Sequence, residues 1–158
     1  MASNEPDTWF RFVRAHRCLI REIERRLACA GLPSYAWYDA LWGVESGVDG
    51  ARRMHELADA MVIERYNLTR LVDRLEVEGL VERRRADSDG RGAVAVITPK
   101  GRALRKQMWK IYKAAVDELF LTQFDLEQQR FFADALSRAA DAAHDSGTGA
   151  SSSDQGKP

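Results

Sequence analysis

The residues best suited to recognition chemistry lie in one polar run near the centre of this sequence of 158 residues. In the major groove of DNA, asparagine can pair with adenine and arginine with guanine, whereas tyrosine and threonine hydroxyls can bond phosphate. Side chains of these types fall on or beside the outer face of one predicted helix: Arg65, Tyr66, Asn67, Thr69, Arg70 and Arg74. The alternative is that they form only the solvated face of an amphipathic helix.

A second candidate for DNA contact is Arg91, in the polar run DSDGRG at residues 87–92. Two glycines in this run permit positive φ angles, as in the tip of a β-hairpin. An arginine at such a tip can enter a narrow minor groove, where the negative potential is deep. The aspartates of the run are expected to order the hairpin through local hydrogen bonds. The alternative is that Arg91 is a solvated loop residue.

Both candidates depend on a helix-turn-helix followed by two strands. The sequence predicts a short helix at about 56–61 with His55 as its N-cap, a turn at Val62-Ile63, and a longer helix at about 65–78. Gly79 is placed to end that helix in a Schellman motif. Strands are predicted at about 81–85 and 93–97. One buried helical stripe is expected to hold the long helix in place: Leu68, Leu71, Val72, Leu75 and Leu80.

Amphipathic helices are predicted on both sides of this segment. One runs over about 7–30, another over 35–46 with Ser34 as N-cap, and a short strand is placed at 52–54. Thr98-Pro99 starts a long helix to about 121, and Asp125 with Gln128 forms a capping box for a last helix to about 143. Residues 146–158 are rich in glycine and serine and are predicted to be a disordered tail.

The predicted fold is therefore mainly α with a small antiparallel β-wing. It is a single domain over residues 1–145, with a winged helix-turn-helix at about 34–98. The flanking N- and C-terminal helices, about 7–30 and 99–143, are expected to serve as dimerisation helices.

The composition excludes several classes of function. Lys and Arg total 24, as do Asp and Glu, so no global basic field exists. Residues 52–106 carry 13 basic and 9 acidic side chains, net +4, and the remainder is net −4. No metal-binding, nucleophile or phosphate-loop motif is present, which predicts neither an enzyme nor a cofactor. No apolar run is long enough to span a membrane and no signal peptide is visible, which predicts a cytoplasmic protein.

The segments LADAM, NLTRLVDRLEVEGLVERR and DSDGRGAVAVITPKGRAL resemble the MarR family of winged-helix transcriptional regulators, over about residues 53–104. The resemblance implies a homodimer with interlocked terminal helices. It also implies a pseudo-palindromic operator in double-stranded DNA and, most commonly, repression. The chain departs from the family at Glu64-Arg65-Tyr66, where members often carry Ser or Thr as the N-cap of the recognition helix.

The resemblance further implies that a small effector, such as an aromatic or phenolic acid, binds where the flanking helices meet the winged module. Aromatic walls with a nearby cation would suit such an anion. The candidate effector residues are Trp9, His16, Arg17, Trp37, Tyr38, Trp42, Trp109 and Tyr112. The alternative is an aromatic core and dimer interface, with His16 packed in the core.

Two other readings of function remain open. Cys18 lies on the first helix, where some members of the family sense peroxides, although burial as a small apolar side chain is favoured. Cys29 is about 16 Å away along the same helix and cannot bridge to it. The other rival is a winged helix that contacts proteins and does not bind DNA.

Overall fold

A computed structural model of the chain describes residues 7–85 and 92–149, with side chains described as far as residue 146. The helices are α1 (Thr8–Cys29), α2 (Tyr35–Glu45), α3 (Met54–Met61), α4 (Arg65–Val77), α5 (Pro99–Leu119) and α6 (Leu126–Gly149). The strands are β1 (Ala51–Arg53), β2 (Val81–Arg85) and β3 (Ala93–Ile97), and short 3-10 turns occupy Val48–Gly50 and Leu121–Gln123. The chain divides into two compact units, one ending at Val116 and the other beginning at Asp117. The predicted class, mainly α with a small β-wing, is confirmed.

The three strands form an antiparallel sheet in the order β1-β3-β2. The hairpin of β2 and β3 has the predicted limits, with Val81 opposite Ile97. The predictions for β1 and α3 were wrong in detail. Arg53 pairs with Val94 and stays extended, so the helix begins at the next residue, Met54. His55 therefore lies in the first turn of α3 and is not its N-cap.

The core of the first unit joins α2, α3, α4 and the sheet. The predicted stripe of α4 is buried throughout, together with residues such as Leu41, Val44 and Leu57 from α2 and α3. Helices α2 and α3 approach closely at Gly43, where an added Cβ would lie 2.6 Å from Leu57 Cδ1. Close apolar packing of this kind fixes the orientation of α4.

Helix α4 ends in the predicted Schellman motif. Gly79 has φ 70°, and its N–H donates to the carbonyl of Glu76 at 2.9 Å. The N–H of Leu80 donates to the carbonyl of Leu75, also at 2.9 Å. These two bonds satisfy carbonyls that a helix end otherwise leaves unpaired.

The start of α5 closes over that same helix end. Thr98 is the N-cap, as predicted: its Oγ1 accepts the Gly101 N–H at 3.0 Å and lies 2.8 Å from the Gly79 carbonyl oxygen, to which it donates. Lys100 Nζ donates to the Glu78 carbonyl at 2.7 Å. A Cβ on Gly101 would overlap the Leu80 carbonyl oxygen, so only glycine permits this approach.

The N-terminus of α2 is capped from α1 and not by the neighbouring serine. Ser34 has the extended backbone of an N-cap residue, but its side chain makes no capping bond. Instead Glu24 Oε1 accepts the Tyr35 N–H at 2.9 Å. The predicted cap was wrong because a carboxylate that is distant in sequence supplies the acceptor.

Helix α1 is covered only towards its C-terminal end. Ile23 and Leu27 are buried, whereas Trp9 is 74% exposed and Phe12 37% exposed. His16 is also exposed, with its ring 6.5 Å from that of Phe12, so the alternative in which it packs in the core of the chain was wrong. Cys18 and Cys29 are exposed as well, which corrects the predicted burial of Cys18. The apolar stripe extends beyond the surface that one chain offers to cover it.

The second unit consists of the end of α5 and α6. Its predicted capping box is present: the Asp125 N–H donates to Gln128 Oε1 at 3.0 Å, and the Gln128 N–H donates to Asp125 Oδ1 at 2.8 Å. Helix α6 continues to Gly149, past its predicted end and into the segment predicted to be disordered. Ser146 Oγ donates to the Ala142 carbonyl there at 2.8 Å. Residues 150–158 of the predicted tail lie outside the described residues.

In the described part of the chain, no helix combines the length and the apolar character needed to cross a membrane.

Candidate DNA-recognition surface

The six α4 residues selected from the sequence all lie on the solvent side of that helix. Each of them is exposed, whereas Leu68, Leu71, Val72 and Leu75 on the other side are buried. The largest exposed side chain is that of Tyr66, at 69%. The apolar stripe therefore turns one continuous polar face outward: Arg65, Tyr66, Asn67, Thr69, Arg70 and Arg74.

Contacts within α4 already orient several of these side chains. The Arg70 guanidinium carbon lies 5.4 Å from the centroid of the Tyr66 ring, within the range of a cation–π contact. Arg74 Nε donates to the Arg70 carbonyl at 3.4 Å. Thr69 Oγ1 donates to the Arg65 carbonyl at 2.9 Å, so its proton is used inside the helix and is not offered to a phosphate.

The unusual entry to α4 leaves its first turn without a side-chain cap. Glu64 occupies the N-cap position with φ −61° and ψ 138°, but its side chain makes no capping bond. Its backbone carbonyl accepts the Leu68 N–H at 3.0 Å, and its side chain is exposed. A carboxylate near the positive end of a helix is favourable electrostatically, even without a hydrogen bond.

Arg83 on β2 pairs with the acidic residues of α4. Its guanidinium forms ion pairs with Asp73 and, at 3.3 Å, with Glu76. The backbone N–H of Arg83 also donates to Glu76 Oε1 at 2.9 Å. This pairing fastens the hairpin to α4, and the single positive charge of Arg83 offsets one of the two negative charges of that helix.

A cleft of about 290 Å³ lies between the starts of α3, α4 and β3. Its lining includes Arg53, His55, Arg65 and Thr69. The sequence did not indicate that His55 and Arg53 approach Arg65, because their proximity depends on how β1 pairs with β3. Arg91, the candidate in the hairpin tip, lies outside the described residues.

The effector candidates do not form one cluster. Tyr38, Trp109 and Tyr112 are grouped, with ring centroids 5.0–6.0 Å apart. Trp37 packs against the winged core, and Trp42 lies 5.5 Å from the Arg105 guanidinium. Trp9 and His16 each approach only Phe12 among the ring contacts of the described residues. Arg17 is exposed on α1.

Three residues that the sequence analysis missed complete the group around Tyr38. Tyr35 lies 5.9 Å from the Tyr38 ring and 5.2 Å from that of Tyr112, which also hydrogen-bonds its hydroxyl. Burial raises the pKa of Tyr35 and of Tyr38, so both phenols are neutral at neutral pH. Burial also raises the pKa of Asp39, the half-buried carboxyl on the same helix. Arg105 hydrogen-bonds Tyr38 from α5.

The same arginine joins α5 to the end of α2. Glu45 pairs with Arg105 and, at 3.1 Å, with Arg102. The side chains of Glu45 and Arg105 are 14% and 12% exposed, so this pair is shielded from water more than a typical surface ion pair. Helix α2 is thus held by Glu24 of α1 at one end and by arginines of α5 at the other.

The fold and this surface define a winged-helix protein with an outward-facing recognition helix, and the comparisons agree. A model of the MarR family matches residues 33–92. AbsC, a MarR family transcriptional regulator from Streptomyces coelicolor, is 25% identical with a TM-score of 0.83, over 91% of this chain and 97% of its own. Sco3205 from the same organism, solved in complex with DNA, is also 25% identical with a TM-score of 0.83, over 90% and 93%.

A third structure, the regulator BldR from Sulfolobus solfataricus, is 28% identical with a TM-score of 0.71, over 82% of this chain and 92% of its own. A comparison with curated protein sequences gives no significant match. The chain is therefore similar in sequence to the MarR family over residues 33–92, and similar in fold to MarR family transcriptional regulators over most of its length.

Proposed function

We propose that this protein is a sequence-specific regulator that binds double-stranded DNA as a homodimer and represses transcription. The observation that carries the proposal is the outward polar face of α4, set on a completely buried apolar stripe and backed by a β-hairpin. A helix presented in this way fits the major groove of B-DNA. The DNA complex of Sco3205 supports the same ligand for this chain.

Within that proposal, Asn67 reads adenine and Arg70 or Arg65 reads guanine. Tyr66 contacts phosphate, and its ring steadies the Arg70 guanidinium beside it. Arg74, one turn further along, reaches the backbone. Arg91 enters the minor groove from the hairpin tip. Thr69 contributes mainly by stabilising the helix, since its hydroxyl donates to Arg65.

The homodimer is supported by apolar surface that the chain leaves uncovered. In the first unit, Trp9, Phe10 and Phe12 of α1 are exposed, and in the second unit, Leu126 and Phe131 of α6 are exposed. Large aromatic side chains in such number are typical of an interface. A two-fold dimer would place its two α4 helices about one duplex turn apart, roughly 34–36 Å, and would bind a pseudo-palindromic operator.

We infer that a small aromatic acid regulates this binding through the group formed by Tyr35, Tyr38, Trp109 and Tyr112. The group joins α2 to α5, and α2 also packs on the core beneath α4, so a ligand there would bias the spacing of the recognition helices. Lowering operator occupancy a hundredfold requires a preference of about 2.7 kcal/mol for the non-binding state. Arg105, which hydrogen-bonds Tyr38, supplies a cation beside this group.

A thiol switch is the second candidate, favoured by one observation: Cys18 is exposed and accessible to oxidants. The Cys18→Ser variant separates the two mechanisms. If peroxide still releases this variant from DNA, Cys18 is not the sensor.

The DNA-binding proposal is tested by selecting genomic fragments with the full-length protein and measuring the affinity for the selected site. Arg70→Ala should weaken specific binding by about 1–3 kcal/mol without changing the oligomeric state. Arg130→Ala, an exposed arginine of α6, is the matched control and should bind normally. Failure to select any fragment would contradict the proposal and would favour a winged helix that contacts proteins.

A further inference from the structure

The outer face of α1 carries a run of arginines that the recognition surface does not use. Helix α1 contains six arginines, two glutamates and no lysine, so its net charge is 6 − 2 = +4 in a chain whose net charge is zero. Arg11, Arg14, Arg17 and Arg21 recur every three or four residues. At 3.6 residues per turn these four lie within about 120° of one another around the helix. We call them the arginine stripe.

The acidic residues of α1 are already engaged elsewhere. Glu22 pairs with Arg25 at 2.7 Å and with Arg26 at 3.0 Å, and these guanidiniums lower the pKa of its carboxyl to about 2. Glu24 accepts the Tyr35 N–H at the start of α2. Among the described residues, no acidic group forms an ion pair with the arginine stripe, and all four of its side chains are exposed. Four uncompensated guanidiniums therefore line about 15 Å of helix.

We propose that the arginine stripe binds backbone phosphates of duplex DNA beside the operator, an inference that rests on the proposed function. A guanidinium is planar and always charged, and it bonds phosphate through two parallel N–H groups. The phosphates of one strand recur every 3.4 Å of duplex axis, a density that a row of arginines can match. The stripe belongs to the same compact unit as α4, whose ligand in the proposed function is the same polyanion.

An anionic lipid surface fits the stripe less well. A helix that lies in a membrane interface needs an apolar face free to enter the lipid. The apolar face of α1 is partly buried within the chain at Ile23 and Leu27. By helical spacing, Phe10 lies on the side of the stripe, whereas Trp9 and Phe12 lie towards the opposite face. The stripe is thus an electrostatic surface, which suits a ligand of high and regular charge density.

Contacts of this kind would be independent of sequence and strongly dependent on salt. Each phosphate contact contributes a slope of about −0.9 to the plot of log K against log salt concentration. In a homodimer the stripe occurs twice, so the loss of one contact per protomer would make the slope less steep by about 2. Specificity for the operator would remain with α4.

The test compares the full-length protein with a variant in which all four stripe arginines are changed to glutamine. Binding is measured over a salt series, on the operator alone and on the operator extended by about one duplex turn at each end. We expect the wild-type protein to bind the extended duplex at least about tenfold more tightly at low salt. The variant should lose this gain and show a less steep slope, while its preference for operator over random sequence is retained.

A matched control changes four exposed basic residues elsewhere to glutamine, namely Lys106, Lys110, Arg130 and Arg138. It removes the same charge and should keep both the gain and the slope. Equal loss in the control, or a stripe variant that behaves as wild type, would overturn the inference. The inference would also be overturned by a stripe variant that keeps the salt dependence of its DNA binding but no longer binds vesicles of phosphatidylcholine and phosphatidylserine. If the wild-type protein binds no DNA, the proposed function itself fails.

Discussion

The apolar faces of α4 and α1 carry similar side chains but differ in how far the chain itself buries them. Leu68, Leu71, Val72 and Leu75 of α4 are buried by the same chain, and hydrogen bonds from Gly79 and Leu80 fix the C-terminal end of that helix. On α1 only Ile23 and Leu27 are buried, and the aromatic side chains nearer its N-terminus remain exposed. The apolar face of the winged module is covered within one chain, whereas that of α1 is left partly uncovered. Substitutions in the two regions should therefore affect different measurements.

The largest loss of stability is expected for Gly101→Ala, which disrupts the packing of α5 against the end of α4. The added Cβ would overlap the Leu80 carbonyl oxygen, so α5 would have to move away from the end of α4. We expect the free energy of unfolding to fall by at least about 3 kcal/mol, measured by urea denaturation. Gly79→Ala is the control: φ is 70° there but no atom lies within 4 Å of the added Cβ, so a loss of about 1–2 kcal/mol is expected. Equal losses would show that close approach is not the cause.

The next largest effect is expected at the exposed end of α1. Replacing Trp9 and Phe12 together by serine should raise the dissociation constant of the dimer by about 10- to 100-fold, because two aromatic anchors are lost from the proposed interface. Sedimentation velocity over a concentration series measures this change. Circular dichroism should show an unchanged helix content, since neither residue belongs to the core of the chain.

Val48→Ser is the control for that experiment. Val48 is 83% exposed but lies outside α1, so its replacement should leave the dimer intact. A double serine variant that remains dimeric at every concentration would show that the exposed aromatics of α1 are not part of the interface.

The same difference between the two helices shows which features of the structure could be predicted from the sequence. The elements of the winged module were predicted closely, because their sequence signals are local and agree with the fold. These signals are the stripe of α4, Gly79 and Thr98-Pro99. The capping of α2 by Glu24 and the ion pairs of Arg83 were not predictable, because they join residues far apart in the chain. The alternative that packs His16 in the core fails because periodicity shows which face of a helix is apolar but not what covers that face.

A smaller effect, on DNA binding rather than on folding, is expected for Arg83→Met. Without this guanidinium, the negative charges of Asp73 and Glu76 on α4 lose their positive partner and would repel the phosphates that the polar face approaches. Operator affinity should fall by about tenfold, or about 1.4 kcal/mol, in fluorescence anisotropy titrations. Adding Asp73→Asn and Glu76→Gln should restore most of the affinity. Arg84→Met removes an exposed arginine paired only with its neighbour Glu82, and it should have a lesser effect that the same two substitutions do not rescue.

The smallest effect is expected at the hydrogen bond that joins α1 to the winged module, in which Glu24 of α1 caps α2. Glu24→Ala should lower the free energy of unfolding by about 1 kcal/mol, because the Tyr35 N–H loses its acceptor. Glu24→Gln should cost less, since an amide oxygen can accept the same bond. Ser34→Ala should change little, although serine at this position is the acceptor that the sequence predicts. A greater loss for Ser34→Ala than for Glu24→Ala would show that α2 is capped locally and that α1 is not coupled to it through this bond.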